Sequence, residues 1–237
     1  MSSASSDPAT IRVRTEIVED AAAVARRGAA EIAAVARASV AARNECAIAV
    51  SGGRTPWAMF DALGDEDVPW EELGIWQVDE RIVPRGSEDR TIAHLEVVLP
   101  APGVARLRAM PLDGLDPLDE RALEAAADGY AATLPGSFDL IHLGLGEDGH
   151  TASLAPGDPV CAIRDRDVAI TGFYRGTRRM TLTYPVLDRA RRVLWIVDGA
   201  AKADPLAKLL AREPAIPASR VGAPDQLAIV DTAAVGR

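Results

Sequence analysis

At 237 residues, 48% of them hydrophobic but only 4% aromatic, the chain is long enough to bury one substantial core built from Ala, Val and Leu. A formal net charge of −9 argues against a nucleic-acid or anionic-membrane surface, because those partners require clustered Lys and Arg, so an anionic small substrate would need a locally basic site. The two cysteines, Cys46 and Cys161, have neither metal-ligand nor redox spacing and read as isolated thiols.

Met1 to Pro8 has neither a basic n-region nor an apolar h-region, and no apolar run reaches the roughly 18 residues that a membrane span takes. The expectation is a cytoplasmic protein, with residues 1–9 flexible and 10–237 forming a single α/β domain. Ile11 to Ile17 alternates like a half-exposed strand. Ala21 to Arg43 is Ala-rich and suits a long amphipathic helix, with Val24, Ile32, Val35 and Val40 on its apolar face.

The βα units follow. Ala47 to Val50 is a strand that ends in Ser51-Gly52-Gly53-Arg54-Thr55-Pro56, with a helix expected over Trp57 to Leu63. Free amides at this turn, next to a helix N-terminus, favour an anion such as phosphate. It lacks the Gly-Lys-Ser/Thr ending of a Walker loop, and the competing reading is a tight βα turn capped by Thr55. Ile75 to Val78 ends in Asp79-Glu80-Arg81, where Arg81 either clamps a substrate oxyanion or pairs with neighbours of Glu80. His94 falls in a helical stretch as a surface or packing residue. Pro100 to Pro117, rich in Pro and Gly, reads as a loop that belongs to a flap.

Phe138 to Leu143 is a buried parallel strand in which His142 is a satisfied core histidine. The segment Gly144-Leu-Gly146-Glu-Asp148-Gly149 that follows formally fits the dinucleotide fingerprint. Pro156, Gly157 and Pro159 break the helix that fingerprint needs, and Asp165 and Asp167 precede the next strand, Val168 to Thr171, instead of ending it. No nicotinamide or flavin cofactor is expected. His150 differs from the other two histidines: flanked by Asp148 and Thr151 on a glycine-rich turn, it can be oriented by its neighbours and accept a proton near neutral pH. No side chains show metal-ligand spacing and no Gly-x-Ser-x-Gly elbow occurs, which leaves direct water activation by a histidine.

Arg179 opens the alternating segment to Thr183. Val193 to Val197 ends in Asp198-Gly-Ala-Ala-Lys202, before a helix to about Arg212, and Leu227 to Val230 is a late strand. With 24 arginines and two lysines in the chain, a lysine at a strand end is not a casual choice. Lys202 is either a point charge that reaches a phosphate or a solvated charge at a helix start, and Arg179 is ambiguous in the same way. Four apolar strands thus end in Gly, Asp, Thr, His, Arg or Lys, as in a doubly wound, mostly parallel α/β sheet whose carboxyl ends face one crevice.

Taken together, Ser51 to Pro56, Asp79-Glu-Arg81 followed by Val83-Pro84, Gly144 to Leu154, Arg179 to Thr183 and Gly199-Ala-Ala-Lys202 resemble the 6-phosphogluconolactonase family over nearly the whole chain. Asp148-Gly-His-Thr-Ala-Ser-Leu154 is the specific element, while the glycine-rich and Lys-containing turns are shared with glucosamine-6-phosphate deaminases and related sensors. The resemblance implies a Rossmann-like sheet flanked by helices with a few additional antiparallel strands, and hydrolysis of 6-phospho-D-glucono-1,5-lactone in the pentose phosphate pathway. It implies no metal and no cofactor, and a small sugar-phosphate lactone as partner with neither nucleic acid nor membrane, on a monomer or weak homodimer. His150 matches the general base, with Asp148 beside it. Arg81, Arg179 and Lys202, with Ser51, Gly52, Gly53, Arg54 and Thr55, match positions that hold the phosphosugar.

Backbone amides of the glycine-rich loop, Gly146 among them, and Arg81 are candidates for the developing oxyanion. The chain departs from the family at Thr91, where Asn is common, and at Ala155, where Phe is common. Two alternatives stand beside this reading: a deaminase-like isomerase using Asp79 as its enolising base, and a non-catalytic sugar-phosphate sensor, for which no helix-turn-helix or basic output segment is seen.

Overall fold

A computed structural model describes residues 11–236. The stretch expected to be flexible, 1–9, lies outside them. Seven strands form one sheet: β1 (Val13–Val18), β2 (Cys46–Val50), β3 (Leu73–Gln77), β5 (Leu107–Arg108), β6 (Leu140–Gly144), β9 (Val193–Val197) and β10 (Gln226–Asp231). Their order is β1-β10-β9-β6-β2-β3-β5, and every pairing is parallel. A second sheet, β4 (Asp79–Arg81), β8 (Arg179–Leu182) and β7 (Val168–Ile170), is antiparallel throughout. This is the expected doubly wound arrangement with added antiparallel strands.

The order fixes where a ligand binds. From β2 the chain moves one way to β3 and β5, then returns to the other side of β2 for β6, β9 and β10. The reversal falls between β2 and β6, and a crevice opens outside the carboxyl ends of the strands at such a switch point.

Strand residues alternate between two cores, as a sheet covered on both faces requires. Val193, Trp195 and Val197 of β9 enter one core, and Leu194 and Ile196 enter the other. The second core is closed by α1 (Ala21–Arg43), α2 (Arg54–Leu63) and α3 (Thr91–Val98); the first holds α5 (Glu120–Ala131), α6 (Tyr184–Asp188), α7 (Ala203–Leu210) and the small sheet. The α1 helix starts at Asp20, whose carboxylate accepts the Ala23 N–H at 2.7 Å, and ends at Asn44 in the left-handed region. Its buried face differs from the expected one. Val24 and Ile32 are fully covered but Val35 and Val40 only partly; Ala25, Ala29, Ala33 and Ala36 complete the contact, because small side chains let α1 lie close on α2 and the sheet.

Two more expectations are corrected, and one helix was missed. The α2 helix begins at Arg54, not Trp57, since Gly53 rather than Thr55 occupies the position before its first turn. Pro100 to Pro117 is not all loop: it contains α4 (Ala101–Ala105) and the short edge strand β5. The α5 helix was not anticipated; Asp119 caps it by accepting the Ala122 N–H at 3.1 Å, and Leu123, Ala127 and Tyr130 form its buried stripe. Among the described residues no helix is long and apolar enough to cross a membrane.

Candidate active site

At the switch point lies a cleft of about 270 Å³, small enough to suit a phosphorylated sugar. Five strand ends build it. The turn after β2 supplies Ser51 to Thr55, β4 supplies Asp79 and Arg81, the loop after β6 supplies Gly146 and His150, β8 supplies Arg179, and the turn after β9 supplies Asp198 and Lys202. Every residue expected in the site lines this cleft except Asp148, which stands behind His150. Thr91 lines it too, whereas Ala155 is buried outside it and its carbonyl accepts the Cys161 thiol.

The cleft is a cationic spot on an acidic protein, with Arg54, Arg81, Arg179 and Lys202 against Asp79 and Asp198. The N–H groups of Gly52, Gly53, Arg54 and Thr55 have no backbone acceptor among the described residues, as expected of a helix start that receives an anion. Thr55 does not cap the helix; its hydroxyl is given to Asp198, which ties the turn after β2 to the turn after β9. The latter turn is itself fixed by Asp231, whose carboxylate accepts the Gly199 N–H at 3.0 Å. Among the described residues, two buried polar atoms that belong to cleft-lining side chains, Ser51 Oγ and Arg179 Nε, lack a hydrogen-bond partner. Unpaired donors of this kind are costly unless a ligand satisfies them.

Arg179 is almost fully buried. Burial acts to lower its pKa and Asp79 opposes it, but a guanidinium keeps its charge in either case. Its Nη1 lies 3.4 Å from Ser153 Oγ, and that hydroxyl is donated to Asp79 Oδ2 at 2.5 Å. Arg81 gives one Nη–H to the Asp89 carbonyl at 2.6 Å and keeps the rest of its fork for the cleft. Both flanks of Arg81 are set by Glu80, a fully buried carboxylate that accepts the N–H groups of Arg81, Thr91 and Ile92 and the Gln77 amide at 2.7 to 2.9 Å.

His150 sits on the turn after β6. Its Nδ1 is 2.5 Å from Asp148 Oδ1, which also accepts the His150 backbone N–H at 3.2 Å. With Nδ1–H committed to the carboxylate, Nε2 is the nitrogen free to take a proton. Burial would raise the Asp148 pKa, but hydrogen bonds from Tyr174 and His150 outweigh it and hold the carboxylate well below the usual range. Gly146, expected as a donor to substrate, gives its N–H to the His150 carbonyl at 2.8 Å; its contribution is space, since a Cβ there would fall 1.9 Å from His150 Nδ1. Gly149, at φ +82°, lies under Ile216 and gives its N–H to the Gly146 carbonyl.

The remaining histidines separate as their surroundings dictate. His94 stacks on Trp57 at 4.9 Å between ring centroids, a packing residue as expected. His142 is in the core, but only half satisfied: Nδ1 accepts the Ser51 N–H at 3.3 Å while Nε2 has no partner, and burial pushes its pKa down to about 3. Among the described residues no three His, Cys, Asp or Glu side chains cluster as metal ligands. Sequence reasoning missed Tyr174, Ser153, Asp198 and Glu80. Ser153 lies inside the Asp148 to Leu154 run and Glu80 between two chosen residues, so adjacency was a usable signal; Tyr174 offered only a neighbouring Arg-Gly turn.

The family profile for glucosamine-6-phosphate isomerases/6-phosphogluconolactonase matches residues 19–230. A 6-phosphogluconolactonase from Synechocystis is 37% identical over 186 residues, which is 74% of this chain and 75% of that protein. The solved 6-phosphogluconolactonase from Trypanosoma brucei superposes with a TM-score of 0.82 at 24% identity, covering 95% of this chain and 98% of that one. A monomeric glucosamine-6-phosphate deaminase matches with a TM-score of 0.80 at 16% identity over 94% of this chain and 99% of its own, so the fold alone does not separate the two chemistries.

Proposed function

The chain belongs to the glucosamine-6-phosphate isomerase/6-phosphogluconolactonase family, and on that premise we propose that it hydrolyses 6-phospho-D-glucono-1,5-lactone to 6-phospho-D-gluconate, with His150 as the base. The carrying observation is that His150, held from behind by Asp148 at 2.5 Å, shares one cleft with a cationic clamp whose buried donors at Ser51 and Arg179 lack partners among the described residues. A lactone is an activated ester and needs a positioned water, a base and donors for the developing oxyanion.

His150 Nε2 takes a proton from the water as its oxygen bonds to C1, and the former carbonyl oxygen becomes anionic. The amides of Gly146 and Gly149 are engaged within the loop, so we assign that oxyanion to Arg81. Collapse of the tetrahedral species breaks the bond between C1 and the ring oxygen, which takes the proton back from Nε2. The new carboxylic acid then ionises, and one proton is released per turnover. Asp148 keeps Nδ1–H in place throughout and stabilises the imidazolium. The phosphate occupies the amides of the Ser51 to Thr55 turn, Arg179 and Lys202.

The deaminase-like alternative makes Asp79 the base. Asp79 is in the cleft but accepts the Ser153 hydroxyl at 2.5 Å and neighbours Arg179, which favours a part in holding that arginine of the clamp. The reading places the enzyme in the cytoplasm, working without metal or cofactor as a monomer or weak homodimer. Its test is proton release from freshly generated lactone at about neutral pH. His150→Ala should lower kcat by about 10²- to 10⁴-fold with the fold intact, and full activity of that variant would remove His150 from the chemistry.

A further inference from the structure

A hairpin joins the strands β7 and β8. Tyr174 and Thr177 exchange backbone hydrogen bonds at 2.9 and 3.3 Å across Arg175 and Gly176, whose φ angles of +50° and +84° suit a type I′ turn. The stem is pinned on three sides. Thr171 N–H reaches the Arg179 carbonyl at 2.8 Å, Gly172 N–H reaches Asp158 at 3.0 Å, and Arg178 spans from the Thr171 carbonyl to Glu120. Phe173 and Arg175 stand in solvent at the tip, Phe173 with 63% of its surface exposed.

Tyr174 does the opposite of its neighbours. Its ring meets His150 edge-on at 5.5 Å, its hydroxyl is 2.6 Å from Asp148 Oδ2, and the Arg179 guanidinium lies 5.2 Å from its ring centre. Asp148 itself is on an exposed turn, where a carboxylate with a single partner rotates readily about its last torsion. With Oδ1 on His150 Nδ1 and Oδ2 on the Tyr174 hydroxyl, both oxygens are engaged and that rotation is stopped. The charged and titratable groups around the pair are Glu147 on the same loop, Arg175 and Arg179 from the hairpin and β8, and Asp79 and Arg81 in the cleft. Burial and the Asp148 carboxylate both push the Tyr174 pKa upward, which keeps its hydroxyl a donor.

We propose that Tyr174 is the positioning residue of this site: by donating to Asp148 Oδ2 it fixes the carboxylate that holds His150, and so presents Nε2 to the water. The proposal rests on the reading of His150 as base. It also means that one hairpin joins the two halves of the cleft, since Arg179 of the clamp follows Tyr174 on the same turn and strand. The hydroxyl draws on the negative charge that Asp148 would otherwise offer to an imidazolium, so its removal favours the protonated imidazole.

The test is Tyr174→Phe, which keeps the ring and the backbone turn, measured with Asp148→Asn, the double variant, His150→Ala and the tip control Phe173→Ser. Tyr174→Phe should lower kcat about 5- to 20-fold with KM within about twofold, and move the acid limb of the kcat/KM profile upward. In the Asp148→Asn background the same change should cost less than about twofold, because the hydroxyl then has no carboxylate to hold. Phe173→Ser should match wild type in kcat, which separates loss of the hydroxyl from disturbance of the hairpin. An unchanged kcat and pH profile in Tyr174→Phe, or an equal loss in both backgrounds, overturns the proposal while leaving His150 in place if His150→Ala is inactive. Full turnover by His150→Ala overturns the reading beneath it.

Discussion

Replacing Gly146 by alanine adds one methyl group at a place where the backbone itself tolerates it, since no left-handed φ is required there. The added Cβ would lie 1.9 Å from His150 Nδ1, 2.2 Å from Cε1 and 2.7 Å from Asp148 Oδ1. Ordinary contact begins at 3.4 Å, so the imidazole must retreat from 1.9 to 3.4 Å, about 1.5 Å. Misplacement of a catalytic group by about 1 Å costs on the order of 10²-fold, so kcat should fall by at least that much and approach the His150→Ala value. The added methyl meets His150 and Asp148, which stand partly in solvent, and not the apolar core, so the melting temperature should move by only a few degrees. The assay follows proton release from fresh lactone in weak buffer, with the spontaneous rate subtracted, alongside a thermal melt. If the clash acts through His150, Gly146→Ala should add almost nothing in a His150→Ala background. A Gly146→Ala enzyme with near wild-type kcat would refute the placement of His150 against this glycine, and with it the geometry on which the base assignment rests.

Lys202→Ala and Arg179→Ala should each lower kcat/KM for the phosphorylated lactone by about 10- to 150-fold, while glucono-lactone without phosphate scarcely responds; equal losses on both substrates would move these residues from the phosphate to the carbonyl or the fold. Hydrolysis should persist after exhaustive chelation and without added nucleotide, and activity abolished by a chelator and restored by one divalent metal would point to a missed metal site. The buried His142, with its pKa pushed down to about 3 from 6.5, refuses a proton that the unfolded chain accepts, so stability should fall as pH drops through the window between those values. This residue contributes about 1.4 kcal/mol per pH unit there, and His142→Asn should flatten the decline in urea midpoint between about pH 6.5 and 4.5; parallel declines would exonerate it.

The parts of this fold that the sequence displays are those in which one strong pattern stands alone. Continuous apolar runs such as Val193 to Val197 announce strands covered on both faces, and the polar cluster at each of their ends points to the switch point. The α5 helix hides because its stripe is only Leu123, Ala127 and Tyr130, with Ala at many other positions, so no run of large apolar residues marks it. The α2 boundary hides for another reason: Gly53, not Thr55, precedes its first turn, because the Thr55 hydroxyl is drawn to Asp198, a residue 143 positions away. The site follows the same division. His150 and its clamp are legible because each occupies a strand end, whereas Tyr174 reaches the dyad from a hairpin tip, and only tertiary packing brings it there.

The Gly144 to Leu154 run reads so clearly because nearly every position answers a separate geometric demand. Thr151 returns its hydroxyl to the Gly144 carbonyl at 2.9 Å, which closes the loop onto the strand that launched it. Gly146 clears space for the imidazole, Gly149 turns with φ +82° under Ile216, and Asp148 takes both N–H groups of His150. Ala152 is held at φ +51°, a conformation that costs a non-glycine residue about 1 kcal/mol or more and persists only where its surroundings enforce it. Its two neighbours do so: Thr151 is anchored backward to Gly144, and Ser153 is anchored forward to Asp79 across the cleft. The strained residue therefore lies in the chain between the base and the serine that holds Asp79. Leu145 and Leu154 belong to the apolar core while Asp148 and His150 stand toward solvent, so substitutions at the latter two should remove turnover far more readily than they unfold the protein.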